Sequence, residues 1–397
     1  MDRTNYLDAG RIMVGSGFRV PGSGFRVPGS GFRVPGSGFR VPGSGFRVPG
    51  SGFSKPSTSH QAPGTKHQAP GTKHQAPGTK HSELTTPMNA LHTLLTGLID
   101  YAGLFPPAEL GMAAAVQNYA AYRQGPFAWC LGRFIVPVSR LREFEAEAGQ
   151  LLPVEAGILP WGLSALVGPQ IESDVETIID FNQRHAVPAS GLAVIDTIEI
   201  KAATVADIER IKRVIPACFT TYVELSLSET LPALVAALGQ TGLRAKLRTG
   251  GITPELFPTP AEIVRFCSLC VQNQVTFKAT AGLHHPVRSH HPLTYAPNSP
   301  QGVMHGFFNV FLGAAFIQAG LSPAEVEQVV LDESPANFQV TDTGITWQGH
   351  HLSLDALRQL RDQVAISFGS CSFEEPLQDL QTLNLLENEE LSMKKEE

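Results

Sequence analysis

Eight short apolar or β-branched runs, separated by amphipathic segments, constrain this chain more than any other feature. The runs are Leu98–Phe105, Arg133–Val138, Leu163–Val167, Gly191–Ile200, Cys218–Leu227, Arg244–Thr249, Val275–Ala281 and Val364–Phe368. Their length and side-chain types suit buried strands. Helix-period patterns fall between them at Ser173–Arg184, Val205–Val214, Leu231–Leu238, Pro260–Gln272 and Met304–Ala319. Start signals mark some of these: Ser173 with Glu176 three positions on, and Thr259-Pro260 with Glu262. Strands that alternate with helices form parallel sheets, because the helix is the crossover.

Eight strands within residues 88–375 predict an α/β fold of the (β/α)8 TIM-like barrel type, whose usual size is ~250 residues. A doubly wound open sheet is the alternative. It is weakened because no Gly-x-Gly-x-x-Gly follows an early strand. The extra length sits after Gly282 and around residues 333–352, where Phe338–Val340 and Ile345–Trp347 flank Thr343-Gly344 like a hairpin. Residues 376–397, rich in Glu and Leu, are expected to form a terminal helix and a charged end.

Residues 1–87 are a different polymer. Gly-Ser-Gly-Phe-Arg-Val-Pro recurs five times over residues 15–53, and His-Gln-Ala-Pro-Gly-Thr-Lys three times over residues 60–81. A proline and a glycine in every seven-residue unit prevent a continuous helix, so neither is a coiled-coil heptad. Residues 1–84 hold 11 Lys and Arg against 3 Asp and Glu, whereas the rest of the chain holds 19 against 33. So little apolar surface cannot offset the entropy of ordering the backbone. The leader is therefore expected to be disordered and dispensable, with the functional unit beginning at Met88. Its Phe/Arg spacing also suits an arm for an anionic surface.

Several classes are excluded by what the sequence contains. Five scattered cysteines do not make a disulfide framework, and reduced thiols in a cytoplasmic protein are the expectation. No run approaches the ~20 apolar residues of a membrane helix, and the first 30 residues lack an apolar signal core. The acidic globular part argues against nucleic-acid binding. The expected partner is a small anionic metabolite, with a homo-oligomer conceivable and neither membrane nor nucleic acid involved.

Chemistry concentrates at two strand ends, Ala245-Lys246-Leu247-Arg248-Thr249-Gly250-Gly251 and Phe277-Lys278-Ala279-Thr280-Ala281-Gly282-Leu283-His284-His285. Strand side chains alternate between faces. Ala245, Leu247, Phe277 and Ala279 therefore face the helix ring, and Lys246, Arg248, Lys278 and Thr280 face the barrel interior. Interior cations are costly unless paired or solvated at a mouth. The C-terminal face is where barrel active sites sit. Thr249, Gly250, Gly251 and Gly282 would offer polar groups and open backbone N–H groups to an anion. Lys246 and Lys278 could instead be structural partners of interior acids. Asp100, Glu224 and one of Asp196 and Glu199, whose parities differ, are the acids available. Glu224 shares a face with Tyr222 and Ser226, and it reads equally as an ion-pair partner or a general base.

The two strand ends resemble the class I aldolase barrel family, most closely the deoxyribose-phosphate aldolases, over residues 246–285. The resemblance implies that Lys246 forms a Schiff base and that Lys278 lowers its pKa. Arg248 stands where that family has a small polar residue, and Thr-Ala-Gly-Leu-His-His replaces its Gly-Gly pair. The strings Lys-Leu-Arg-Thr-Gly-Gly and Phe-Lys-Ala-Thr-Ala-Gly-Leu-His-His are also similar to an uncharacterised bacterial, cyanobacterial, protein family.

His284, His285, His290, His291 and His305 cluster with Arg288. His284 is read as a general acid/base or phosphate ligand at the mouth, and Arg288 as an anion ligand. His285, His290 and His305 are the candidates for a divalent metal, although no cofactor is expected. Cys267-x-x-Cys270 lies within a helix pattern and reads as core. Cys371 lies in a Gly/Ser-rich loop after the last strand, where Ser370 and Ser372 are candidate phosphate ligands. The leading expectation is an aldolase- or lyase-like enzyme. Its rivals are a metal- or His-dependent hydrolase or isomerase using the same pocket, and a non-catalytic binding or scaffold protein.

Overall fold

The computed structural model describes residues 89–387 except Ala156. The repeat leader and the charged end from residue 388 lie outside the described residues. Seven strands come first: β1 (Ile99–Tyr101), β2 (Leu131–Pro137), β3 (Trp161–Leu166), β4 (Ala193–Lys201), β5 (Thr220–Glu224), β6 (Arg244–Arg248) and β7 (Phe277–Thr280). An antiparallel pair, β8 (Ser289–Pro292) and β9 (Gln301–Met304), and a three-stranded sheet, β10 (Phe338–Val340), β11 (Gly344–Trp347) and β12 (His350–Ser353), are inserted before β13 (Ala365–Ser370). Strand β13 pairs in parallel with both β7 and β1, and so closes an eight-stranded barrel in the order β1-β13-β7-β6-β5-β4-β3-β2. Every expected strand run overlaps one of these eight barrel strands.

The crossover helices follow from capping and apolar periodicity. Thr204 and Thr259 each cap through a reciprocal capping box with Asp207 and Glu262, fixing the starts of helices Val205–Val214 and Pro260–Gln272. Helix Ile171–Arg184 begins earlier than its Ser173 signal, because Gln170 is the N-cap and the Ser173 hydroxyl donates back to the Gln170 carbonyl. Helix Phe307–Gln318 is buried on nearly every side and packs against helices Pro260–Gln272 and Pro323–Leu331. Outside the barrel wall, the Phe277 ring meets Phe266 at 5.4 Å and Phe311 at 6.4 Å. Ala245, Leu247 and Ala279 are fully buried on the same outer layer. The opposite, charged faces of β6 and β7 consequently point into the barrel.

Strand β4 carries an irregularity that alternation alone does not reveal. Leu163 pairs with Ile195, but the next residue, Ser164, pairs with Thr197, so Asp196 is the extra residue of a bulge. The bulge resets the parity. Asp196 reaches Arg133 of β2, with contacts of 2.5 and 2.8 Å, while Glu199 reaches Lys246 and Lys278. The expectation that only one of these two acids turns inward is therefore corrected. The terminal helix is Glu374–Thr382 and buries Pro376, Leu377 and Leu380. It belongs to the barrel body, so the boundary expected at residue 376 falls inside it. Among the described residues, no helix is long and apolar enough to cross a membrane.

Candidate active site

Register places polar and charged residues of three strands, β5, β6 and β7, side by side. Glu224 pairs with Lys246, Lys246 with Lys278, and Arg248 with Thr280. At the centre lies Glu199, 1% exposed. Its Oε1 accepts hydrogen bonds from Lys278 Nζ at 2.6 Å and from the Ser164 hydroxyl at 2.7 Å. Its Oε2 lies 2.7 Å from Lys246 Nζ. Asp100 closes the other side, accepting from Lys278 Nζ at 2.6 Å, the Ser367 hydroxyl at 2.7 Å and the Arg133 backbone N–H at 2.7 Å. Glu224 lies 3.0 Å from Lys246 Nζ and 3.4 Å from Arg248 Nε.

Buried charges persist only when they are compensated, and here each has an opposite neighbour. Burial alone would raise the carboxyl pKa of Glu199, but Lys246 and Lys278 outweigh it and hold the group well below the ordinary range. Burial likewise opposes ionisation of Glu224, and Lys246, Arg248 and Lys201 reverse that effect. Lys278 shows the complementary balance. Burial favours its neutral amine, while Asp100 and Glu199 together raise its pKa above the usual lysine value. The Tyr222 ring lies 5.6 Å from Lys278 Nζ and adds a further surface for the cation.

The two lysines are not equivalent. Both carboxylate contacts of Lys278 are directed hydrogen bonds. Lys246 Nζ is held as closely, 2.7 Å from Glu199 Oε2 and 3.0 Å from Glu224. The difference lies in the neighbours: Lys278 sits between Asp100 and Glu199, whereas Lys246 sits between Glu199 and Glu224, and Glu224 also meets Arg248. Arg248, with its side chain 44% exposed, extends from the same strand toward solvent.

The expected anion ligands divide. Thr280 lies beside Arg248 in the register and faces β13, its hydroxyl close to Gly369. Thr249 does not face a ligand: its hydroxyl donates to the Ala281 carbonyl at 2.5 Å and clips two loops together. Gly250 and Gly251 lie beneath Phe257 and Leu256, so a side chain at either would collide with them. Gly282, at φ +77°, sits against Gly250. Close packing accounts for these three glycines. Arg288 pairs with Glu333 at 3.3 Å, and its backbone N–H donates to Asn309, so its contacts lie outside the lysine cluster. Ser370 ends β13 and accepts from the Ser372 N–H at 3.3 Å.

The histidines likewise separate. His285 Nδ1 meets Asp379 at 2.6 Å and its ring stacks on His291 at 3.4 Å. His305 Nε2 meets the Pro258 carbonyl at 2.7 Å. His290 is exposed on β8. Among the described residues, no three His, Cys, Asp or Glu side chains converge as a metal site, so His285, His290 and His305 do not form one. His284 joins Glu375 and Cys371 in a separate cluster. Glu199, Ser164 and Ser367 were not singled out as site residues from the sequence. The parity of Glu199 was its only signal, and a bulge interrupts that parity.

Fold and site together define a parallel eight-stranded barrel with a lysine pair and three carboxylates in its interior. Compared with protein-family models, curated proteins and solved structures, the chain matches none.

Proposed function

We propose that the chain is a barrel enzyme of the lyase or aldolase type, acting on a small anionic carbonyl compound through a Schiff base on Lys246. The observation that carries this reading is the pair of lysines that shares one buried carboxylate, Glu199, with Lys246 on the side of Glu224 and the exposed Arg248. Lys278 keeps its proton because Asp100 and Glu199 both bind it. Its fixed positive charge opposes a second one on Lys246, and Glu224 at 3.0 Å is an acceptor for the proton Lys246 must lose.

The neutral Lys246 amine then attacks the substrate carbonyl carbon. The C–N bond forms, the carbonyl electron pair moves to oxygen, and that oxygen leaves as water after taking up protons. As the Cα–Cβ bond breaks, its electrons move onto the iminium to give an enamine, and the β-hydroxyl loses its proton and becomes the carbonyl of the departing fragment. The enamine is then protonated at carbon and hydrolysed by water, which frees the second product and the Lys246 amine. Glu224 returns or removes the protons of these steps, and Arg248, exposed at the mouth, holds the anionic group of the substrate. The resemblance of the two strand ends to deoxyribose-phosphate aldolases supports the same assignment.

Borohydride reduction in the presence of a panel of small aldehydes, ketones and sugar phosphates tests it. A reduced adduct mapped to Lys246, absent from Lys246→Met, is expected. If no carbonyl compound leaves an adduct on Lys246, the Schiff-base reading fails.

A further inference from the structure

A second set of groups with complementary chemistry lies on the loops that follow β7 and β13. Cys371 comes directly after β13, and His284 lies four residues past the end of β7. Glu375 is in the first turn of helix Glu374–Thr382. His284 Nδ1 lies 2.6 Å from Glu375 Oε2, and its Nε2 lies 3.8 Å from Cys371 Sγ. The Tyr295 hydroxyl approaches the same sulfur at 3.7 Å. His284, Tyr295 and Glu375 also line a cavity of about 180 Å³, together with His285, His291 and Met304. None of the contacts of Cys371, His284 or Glu375 involves Lys246 or Lys278.

We propose that Cys371, His284 and Glu375 form a thiol nucleophile, base and orienting carboxylate that hydrolyse small acyl esters or thioesters reached through this cavity, two of whose lining residues, His284 and Tyr295, meet the sulfur. Glu375 lies at Nδ1 and Cys371 at Nε2, so the carboxylate orients the ring and Nε2 is the nitrogen placed to hold the thiol proton. With the Cys371 proton held on Nε2, the sulfur attacks the carbonyl carbon, forming the C–S bond as the carbonyl electron pair moves to oxygen. The Tyr295 hydroxyl is placed to donate to that oxygen. Collapse breaks the bond to the alcohol or thiol, which leaves with the proton from His284. Water then attacks the thioester, giving its proton to Nε2. The acid departs as the C–S bond breaks, and the sulfur recovers its proton. The net change is ester plus water to acid plus alcohol.

Two further observations fit. Cys371 precedes the N-cap, Phe373, of a nine-residue helix whose N-terminal end favours negative charge. Burial disfavours the imidazolium of His284, but Cys371 and Glu375 outweigh that and raise its pKa to about 10, stabilising the charged form the first step creates. The other cysteines differ: Cys218 is exposed, and among the described residues Cys130, Cys267 and Cys270, buried like Cys371, make no side-chain hydrogen bond to a histidine.

The test uses the full chain with p-nitrophenyl acetate, following the p-nitrophenolate burst and mapping acetylated peptides. A hydroxylamine-labile acetyl group on Cys371 is expected, lost in Cys371→Ser and formed at least ~100-fold more slowly in His284→Asn. Glu375→Gln should slow it while leaving the far-ultraviolet circular dichroism unchanged, which decides the matter even where His284→Asn folds poorly. Cys218→Ser should leave it unaltered. Acetylation confined to Cys218 or to lysines, or an undiminished rate in Glu375→Gln, would overturn the proposal. Acyl transfer needs no imine, so this result is independent of trapping at Lys246.

Discussion

Without the Lys278 ammonium, Asp100 and Glu199 would face each other across the barrel with one less counter-charge. Lys278→Met is expected to destabilise the protein by about 3–5 kcal/mol, the usual cost of stranding a buried charge. Lys246→Met should cost less, because Glu199 keeps Lys278, and Glu224 keeps Arg248 and Lys201. Urea denaturation of both variants measures the difference. A structural ion-pair lattice alone would make the two substitutions comparably damaging. His284 gives a second residue-scale expectation. Its pKa is about 10 when folded, against 6.5 as the unperturbed value. Its contribution to stability is therefore complete below about pH 6.5 and lost as pH rises toward 10. His284→Asn should flatten that alkaline decline in a series of urea midpoints. The inward direction of Lys246 and Lys278 was legible from alternation, whereas the central place of Glu199 was not. The extra residue at Asp196 displaces the count by one, and a bulge leaves no compositional mark here.

At the scale of elements, the loops after β6 and β7 are held by close backbone approach. Thr249 clips the Ala281 carbonyl, and Gly282 rests on Gly250 with φ +77°. A Cβ at Gly282 would lie 2.8 Å from the Gly250 Cα, backbone that has no side-chain freedom to yield. Gly282→Ala is expected to cost about 1–2 kcal/mol from the left-handed conformation alone, and more from the collision. Thermal unfolding should register that loss, whereas Gly97→Ala, also at positive φ but with open space around it, should lose only the conformational part. The sequence marked these glycines as an anion loop, since turn signals and anion nests share the same residue types. Only the positions of Phe257 and Leu256, brought back by the following turn Pro254–Leu256, reveal the packing role. The helix start was legible at Thr259, where a capping box exists, and misplaced at Ser173, where none does; the box at Ser322 that opens helix Pro323–Leu331 was missed. The reach of Glu375 to His284 had no local signal, because the two are 91 positions apart.

For the whole molecule, eight strand runs were readable because each barrel strand is apolar on its outer face and short, which limits the possible folds. The count of eight also pointed to closure, but the strand partnership that closes the barrel was not readable. It depends on β13 finding β1 and β7 across the inserted strands β8 to β12, and no local pattern encodes that partnership. The interior charges also set how the barrel meets acid. Glu199 and Glu224 have lowered pKa values when folded, so their stabilisation holds above about 4.5 and disappears as pH falls further. Buried His305 resists protonation until about pH 4, because desolvation outweighs its contact with the Pro258 carbonyl. An unfolded histidine already takes up a proton near pH 6.5. Burial and the neighbouring His285 lower the His291 pKa to about 4 as well. Stability should therefore begin to fall below about pH 6.5 and fall more steeply below 4.5, with His305→Gln and His291→Gln each removing a share of the first part. Guanidinium titrations between pH 7 and pH 4 measure this.

The central claim is that Lys246, and not Lys278, is the nucleophile of the barrel interior. Peptide mapping after borohydride reduction with small carbonyl substrates tests it most directly. The account predicts a reduced adduct on Lys246 that is unaffected by labelling of exposed Lys201 and absent from Lys246→Met. An adduct on Lys278 with Lys246 unmodified, or no adduct on either across the panel, would contradict it.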